Sequence, residues 1–399
     1  MRGKRWLVIA VCLCLLAGAA LSQAEGVLYE AAGAYGMKMG AALSFSQMKD
    51  KAYLALLEKH FNSVTMTNEM KAYSLLDQKA SMAAEDGMPR MNYWAADQMV
   101  GWAAEHGIGV RGHVLVWDAY MLDWYFHEDY DTKKPYADAQ TIARRTESYI
   151  HSVITHFEEK FPGVVYCWDV VNEAVGDNAG EYEPDDARHL RTMRSGGENL
   201  FRTYMGDTYV EQAFLYARDC VDELGADIRL YYNDYNAYFQ DKAEAIMQLA
   251  QSVNHFAKNA DGTDRKLLDG IGMQGYIGGY GTQNGCLVDS HLDMIRKAIE
   301  GYAALGLEVQ ITEMAVRNFE KDKAEAHAVF YGKLFEVFKG LYADGANPLC
   351  AVSIWGLTDY PTEPKGTYVY NLNSPYGGLF TEKLEEKEAL TRVLDVLQK

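Results

Sequence analysis

The sequence predicts a single-domain (β/α)8 TIM barrel of the α/β class, on three observations. Short apolar or β-branched runs alternate with longer stretches of helical periodicity, no Pro-, Ser- or Gly-rich linker divides the chain, and 399 residues suit one barrel with long loops. The runs lie near Lys38–Ala42, Phe61–Thr65, Ile108–Val116, Val164–Val171, Ile228–Asn233, Gly270–Gln274, Glu308–Glu313 and Ala351–Gly356. Eight strands, each followed by a helix, close most economically into a ring. After the third run, Ile142, Tyr149, Ile150, Val153, Ile154 and Phe157 share one helical face, with Pro162-Gly163 as the stop. After the fourth, Val210, Ala213, Phe214, Ala217, Val221 and Leu224 do the same before Gly225.

Composition narrows the partner. With 38 Lys+Arg against 56 Asp+Glu, a formal charge of −18 argues against nucleic acid or an anionic membrane surface. At 49% hydrophobic and 24% charged, the chain can bury a large core. Arg2, Lys4 and Arg5 precede an apolar stretch from Leu7 to Leu21, and Ser22-Gln23-Ala24 supplies a small-x-small cleavage site. The apolar stretch falls short of the roughly 20 residues that cross a bilayer, so residues 1–24 read as a secretory signal and residues 25–399 as a secreted, monomeric barrel with no membrane association after cleavage. Of the cysteines beyond that segment, Cys167 and Cys350 sit in strand-like runs and are expected as buried thiols. A disulfide involving Cys286 stays open. No His or Cys spacing matches a metal site, and no cofactor is implied.

Barrel active sites form at the carboxyl ends of the strands. Polar residues ending the runs are Asn68 and Lys71, His113 and Trp117, Asn172 and Glu173, Asn233 and Asp234, Gln274, Glu313, and Trp355. Among them, Glu173 in WDVVNEA and Glu313 in VQITEMA end the fourth and seventh runs, so the ring brings the two carboxylates face to face. Glycosidic hydrolysis needs such a pair: one acid protonates the departing oxygen while the other attacks the anomeric carbon or activates water. In a retaining enzyme the carboxyl groups lie about 5–5.5 Å apart, and mutual repulsion lets one keep a proton near neutral pH.

These residues carry a family resemblance. RGHVLVW (Arg111 to Trp117), WDVVNEA (Trp168 to Ala174), YYNDYNA (Tyr231 to Ala237), DGIGMQ (Asp269 to Gln274), ITE (Ile311 to Glu313) and WGLTD (Trp355 to Asp359) occur in the order found in family 10 glycoside hydrolases. The chain resembles that endo-1,4-β-xylanase family from Met39 to the C-terminus. The resemblance implies that Glu173 is the general acid/base and Glu313 the nucleophile of a retaining double displacement on xylan. It also implies that Asn172 holds a sugar 2-hydroxyl, that Lys71, His113, Gln274 and Trp355 line the same subsite with Trp117 beneath, and that Asn68 reaches the next sugar.

Five positions depart from the family's usual residues. Thr67 replaces a Glu, Tyr120 a Gln, and Glu363 a Trp that closes over the sugar. Tyr276 replaces a His that hydrogen-bonds the nucleophile, and Ala315 the Asp that supports that His. The last two read as one linked exchange, in which the Tyr276 hydroxyl orients Glu313 directly. Hydrolysis of short xylooligosaccharides or of another β-linked polysaccharide is the alternative within enzymes, and a noncatalytic carbohydrate-binding barrel the alternative outside them.

Overall fold

Each of the eight apolar runs becomes a strand in the computed structural model, which describes residues 26–194, 197–278, 286–360 and 374–399. The strands are β1 Lys38–Leu43, β2 Ser63–Met66, β3 Gly109–Gly112, β4 Val165–Asn172, β5 Arg229–Tyr235, β6 Gly270–Gln274, β7 Glu308–Met314 and β8 Leu349–Ile354. All neighbours pair in parallel, and β1 closes the barrel by pairing with β8 through Lys38↔Ala351 to Ala41↔Ile354. Residues 1–24, read above as a secretory signal, lie outside the described residues.

The strands are buried on both faces because helices cover the outside, which is why they read as continuous apolar runs rather than as alternating ones. The amphipathic stretch after β3 forms the helix Ala139–Lys160, started by Asp138, whose side chain accepts from Thr141 N, and all six of its predicted core residues are buried. The helix Tyr209–Leu224 ends where Gly225 adopts φ 61°, a left-handed cap that glycine takes without strain. At the seam, the helix Leu28–Gly33 packs beside the C-terminal helix Glu388–Leu397. A Cβ built on Gly26 would meet Gln398 Nε2 at 2.3 Å.

Inside the ring, Arg111 on β3 forms a two-pronged ion pair with Asp169 on β4 and donates from Nε to Gln310 Oε1 on β7 at 3.1 Å. Asp169 also accepts from His113 Nδ1 at 2.8 Å. Burial pushes the Asp169 carboxyl up, yet Arg111 and His113 outweigh it and hold the group below its usual range.

Three details differ from the sequence reading. The third run extends past the regular strand: β3 ends at Gly112, and the chain then rejoins β4 irregularly through Leu115 N to Asp169 O and Val116 N to Val170 O. Cys350, near the start of β8, is only half-buried, its thiol donating to Val309 O, whereas Cys167 is fully buried. Cys286 remains a thiol, as do Cys167, Cys220 and Cys350. No sequence pattern marks the antiparallel pairing of Met193–Arg194 with Gly197–Glu198 in the loop after β4.

Candidate active site

The carboxyl ends of the strands enclose a cleft of about 420 Å³ lined by Lys71, His113, Trp117, Ala119, Tyr120, Glu173, Arg194, Tyr235, Gln274, Tyr276, Glu313 and Trp355. Eight of the ten sequence-predicted site residues therefore converge there. The other two lie beside it. Asn68 is exposed and accepts from Lys71 Nζ at 3.2 Å. Asn172 is buried beneath the floor, with its Oδ1 engaged and its Nδ2 without a partner among the described residues.

Three amides tie the two glutamates together. Gln274 Nε2 donates to Glu173 Oε1 at 3.0 Å and to Asn172 Oδ1 at 3.3 Å. Asn233 Nδ2 donates to the same Asn172 oxygen at 2.9 Å and to Glu313 Oε1 at 3.4 Å. Thr312 in turn donates to Asn233 Oδ1 at 2.7 Å, which fixes the amide's orientation. Asn233 stood among the strand-end residues, but its part in this chain was not anticipated.

Glu313 accepts a hydrogen bond from the Tyr276 hydroxyl at its other oxygen. Tyr276 and Ala315 sit side by side in a parallel bridge, so the paired departure from the family pattern is also a spatial pair. Burial pushes the Glu313 carboxyl up; His113, Tyr276 and Lys71 pull it down, and Glu173 pushes it up again. The Lys71 ammonium is lowered by burial, against the pull of Glu313, Glu173 and Glu69.

Glu173 occupies an unusual backbone position, φ 56°, which costs a non-glycine residue roughly 1–2 kcal/mol. Its N–H donates to Asn233 O at 2.9 Å, and its carbonyl accepts from Arg194 and, at 3.4 Å, from Arg191 Nε. Such strain persists only where several contacts over-determine it. Arg194 also donates to Glu173 Oε2 at 3.1 Å. It was missed because it lies 21 residues beyond Glu173, in a polar loop that carries no periodicity.

Aromatic faces complete the cleft. Tyr120 packs on Trp117 with centroids 4.3 Å apart and stays 48% exposed, offering a flat surface at the entrance. Lys71 Nζ lies 5.1 Å from the Trp117 ring centre. Thr67 lines a neighbouring hollow that meets the cleft at Trp355. Glu363 lies outside the described residues. Among the described residues, no group of three or more His, Cys, Asp or Glu is arranged to hold a metal ion.

A closed barrel that converges two buried glutamates, linked by amides and flanked by aromatic platforms, defines a glycoside hydrolase. Residues 27–396 match the model of glycosyl hydrolase family 10, and the chain belongs to that family. It is 36% identical to a putative endo-1,4-β-xylanase of Caldicellulosiruptor saccharolyticus, over 73% of this chain and 88% of the relative. It is 30% identical to endo-1,4-β-xylanase B of Butyrivibrio fibrisolvens, covering 90% of this chain but only 51% of that longer protein. Among solved structures, the CBM22-1 and GH10 modules of Clostridium thermocellum endo-1,4-β-D-xylanase 10B, complexed with xylohexaose, superimpose with a TM-score of 0.77 at 27% identity. That match covers 94% of this chain and 68% of that one. An endo-1,4-β-xylanase from Caldicellulosiruptor owensensis gives a TM-score of 0.71 at 27% identity, covering 93% and 100%.

Proposed function

We propose that this glycosidase is a secreted endo-1,4-β-xylanase that cleaves internal xylosidic bonds with retention, Glu313 serving as nucleophile and Glu173 as acid/base. The observation that carries the reading is the hydrogen-bonded path from Glu173 through Gln274, Asn172 and Asn233 to Glu313, which holds both carboxyl groups on one cleft. In the first step the ionised Glu313 attacks the anomeric carbon while Glu173 gives its proton to the departing oxygen, leaving a sugar ester on Glu313. In the second, Glu173 takes a proton from water, and the hydroxyl displaces Glu313 from the sugar. Tyr276 steadies Glu313 by donating to its Oε2. The family resemblance assigns Asn172 to a sugar hydroxyl, and its Nδ2 has no hydrogen-bond partner among the described residues. The xylanases among the relatives, and the xylohexaose held by one structural neighbour, support xylan as the substrate class. Secretion rests on the basic and apolar pattern of residues 1–24.

Two variants test the assignment. Glu313→Ala is expected to abolish release of reducing sugar from xylan while oligosaccharide binding stays measurable, and near-native turnover would overturn the nucleophile. Glu173→Ala is expected to keep kcat/KM on aryl glycosides with acidic leaving groups far better than on xylan. Chromatography of products from linear and substituted xylans, with mixed-linkage glucan as control, tests the substrate: glucan turned over in preference to xylan would refute it.

A further inference from the structure

We infer that Arg194 is a positioning residue for the acid/base, clamping both the carboxyl and the backbone of Glu173 onto the loop that follows β3. This rests on the assignment of Glu173 above. Three of the guanidinium's donors are committed. Nη1 meets Glu173 Oε2 at 3.1 Å, Nη2 meets the Glu173 carbonyl, and Nε meets Asp118 Oδ2 at 2.8 Å. Asp118 directly follows Trp117, so one side chain joins the hairpin, the end of β4 and the aromatic wall of the cleft.

The geometry makes Arg194 complementary to Gln274. Gln274 holds Oε1 of Glu173 and Arg194 holds Oε2, so the carboxyl is gripped at both oxygens and its plane is set. A general acid must lie within hydrogen-bond reach of the oxygen it protonates, and a carboxyl free to rotate loses that alignment. The carbonyl contact acts on the other variable, the left-handed φ of Glu173, which directs the side chain into the cleft. Burial works against the charge on Arg194, but Asp118 and Glu173 outweigh it, so the clamp stays ionised.

A leaving-group comparison separates positioning of the acid from general support of the fold. In Arg194→Ala, kcat/KM on 2,4-dinitrophenyl β-xylobioside, whose leaving group needs no proton, is expected to stay within about twofold of wild type. On xylotetraose it is expected to fall about ten- to a hundredfold, with partial recovery in Arg194→Lys. Equal loss on both substrates, or no loss on xylotetraose, overturns the inference. If Arg194→Ala does not fold, Asp118→Asn, which keeps the guanidinium but loosens its tether, must show the same split in smaller measure, and a uniform effect overturns the inference. Glu173→Ala measured alongside distinguishes the two failures. A split there but not in Arg194→Ala removes only the clamp, whereas no split in either removes the acid/base assignment itself.

Discussion

Replacing Tyr276 by Phe removes one oxygen and tests what that hydroxyl contributes to the ionisation of Glu313, the nucleophile proposed above, whose carboxyl burial holds above its usual range. Glu313 is buried, and burial favours its neutral form; the opposing groups are His113, Tyr276 and Lys71. Among the described residues, one of its two oxygens accepts from Tyr276 and the other receives a longer contact, 3.4 Å, from Asn233. A hydrogen bond to a charged group contributes about 1.5–3 kcal/mol, and each pKa unit corresponds to about 1.4 kcal/mol. The sign follows: losing a donor to the carboxylate disfavours ionisation, so the acid limb of kcat/KM moves toward higher pH, by about one to two units. Below that limb the variant is expected to be about ten- to a hundredfold slower than wild type, and well above it the two converge to within a few fold. The assay is the pH profile of kcat/KM on a xylooligosaccharide, with thermal unfolding run in parallel. An acid limb that stays in place or moves to lower pH would refute the reasoning. Because positions 276 and 315 are bridged neighbours, Tyr276→His combined with Ala315→Asp is expected to bring the limb back toward the wild-type position.

Two further predictions concern the scaffold. Gly112→Ala places a Cβ 2.4 Å from two ring carbons of the fully buried Trp168. It is expected to lower stability in urea unfolding by about 1–3 kcal/mol, and unchanged stability would show that β3 and β4 can separate. His327 is buried, and Nε2 donates to Val316 O at 2.7 Å. Burial, only partly offset by that carbonyl, lowers its pKa to about 4. The unfolded chain therefore takes up the proton first: the stability contribution is complete above about pH 6.5 and lost as pH falls toward 4, roughly 3 kcal/mol in all. His327→Gln is expected to flatten that part of the stability curve, and a curve parallel to wild type between pH 7 and 4.5 would contradict it.

The scaffold was legible because a parallel strand covered on both faces must be apolar throughout, and its polar ending marks the mouth of the barrel. By that rule Glu173, Glu313, Gln274 and His113 stand at the mouth, and all four line the cleft. It failed where pairing and apolarity part company: Val114, Leu115 and Val116 are buried beyond the end of β3, so the run overstates the strand. Arg194 and the hairpin that carries it were illegible for the opposite reason. They lie in a long polar loop whose conformation comes from ion pairs with Asp118 and Glu173, partners distant in sequence and without periodicity. Asn233 was visible as a strand ending, but its two-sided role depends on Asn172 and Glu313 arriving from different strands.

The seam between the first and last strands has a consequence for how this chain can be rearranged. Gly26 touches Gln398, and β1 and β8 are already hydrogen-bonded neighbours, so the order in which the eight units are threaded is separable from their closure. A cut at the solvent-exposed turn around Gly262 would leave two pieces that meet at two seams, β5 against β6 and β8 against β1, so every strand keeps both partners.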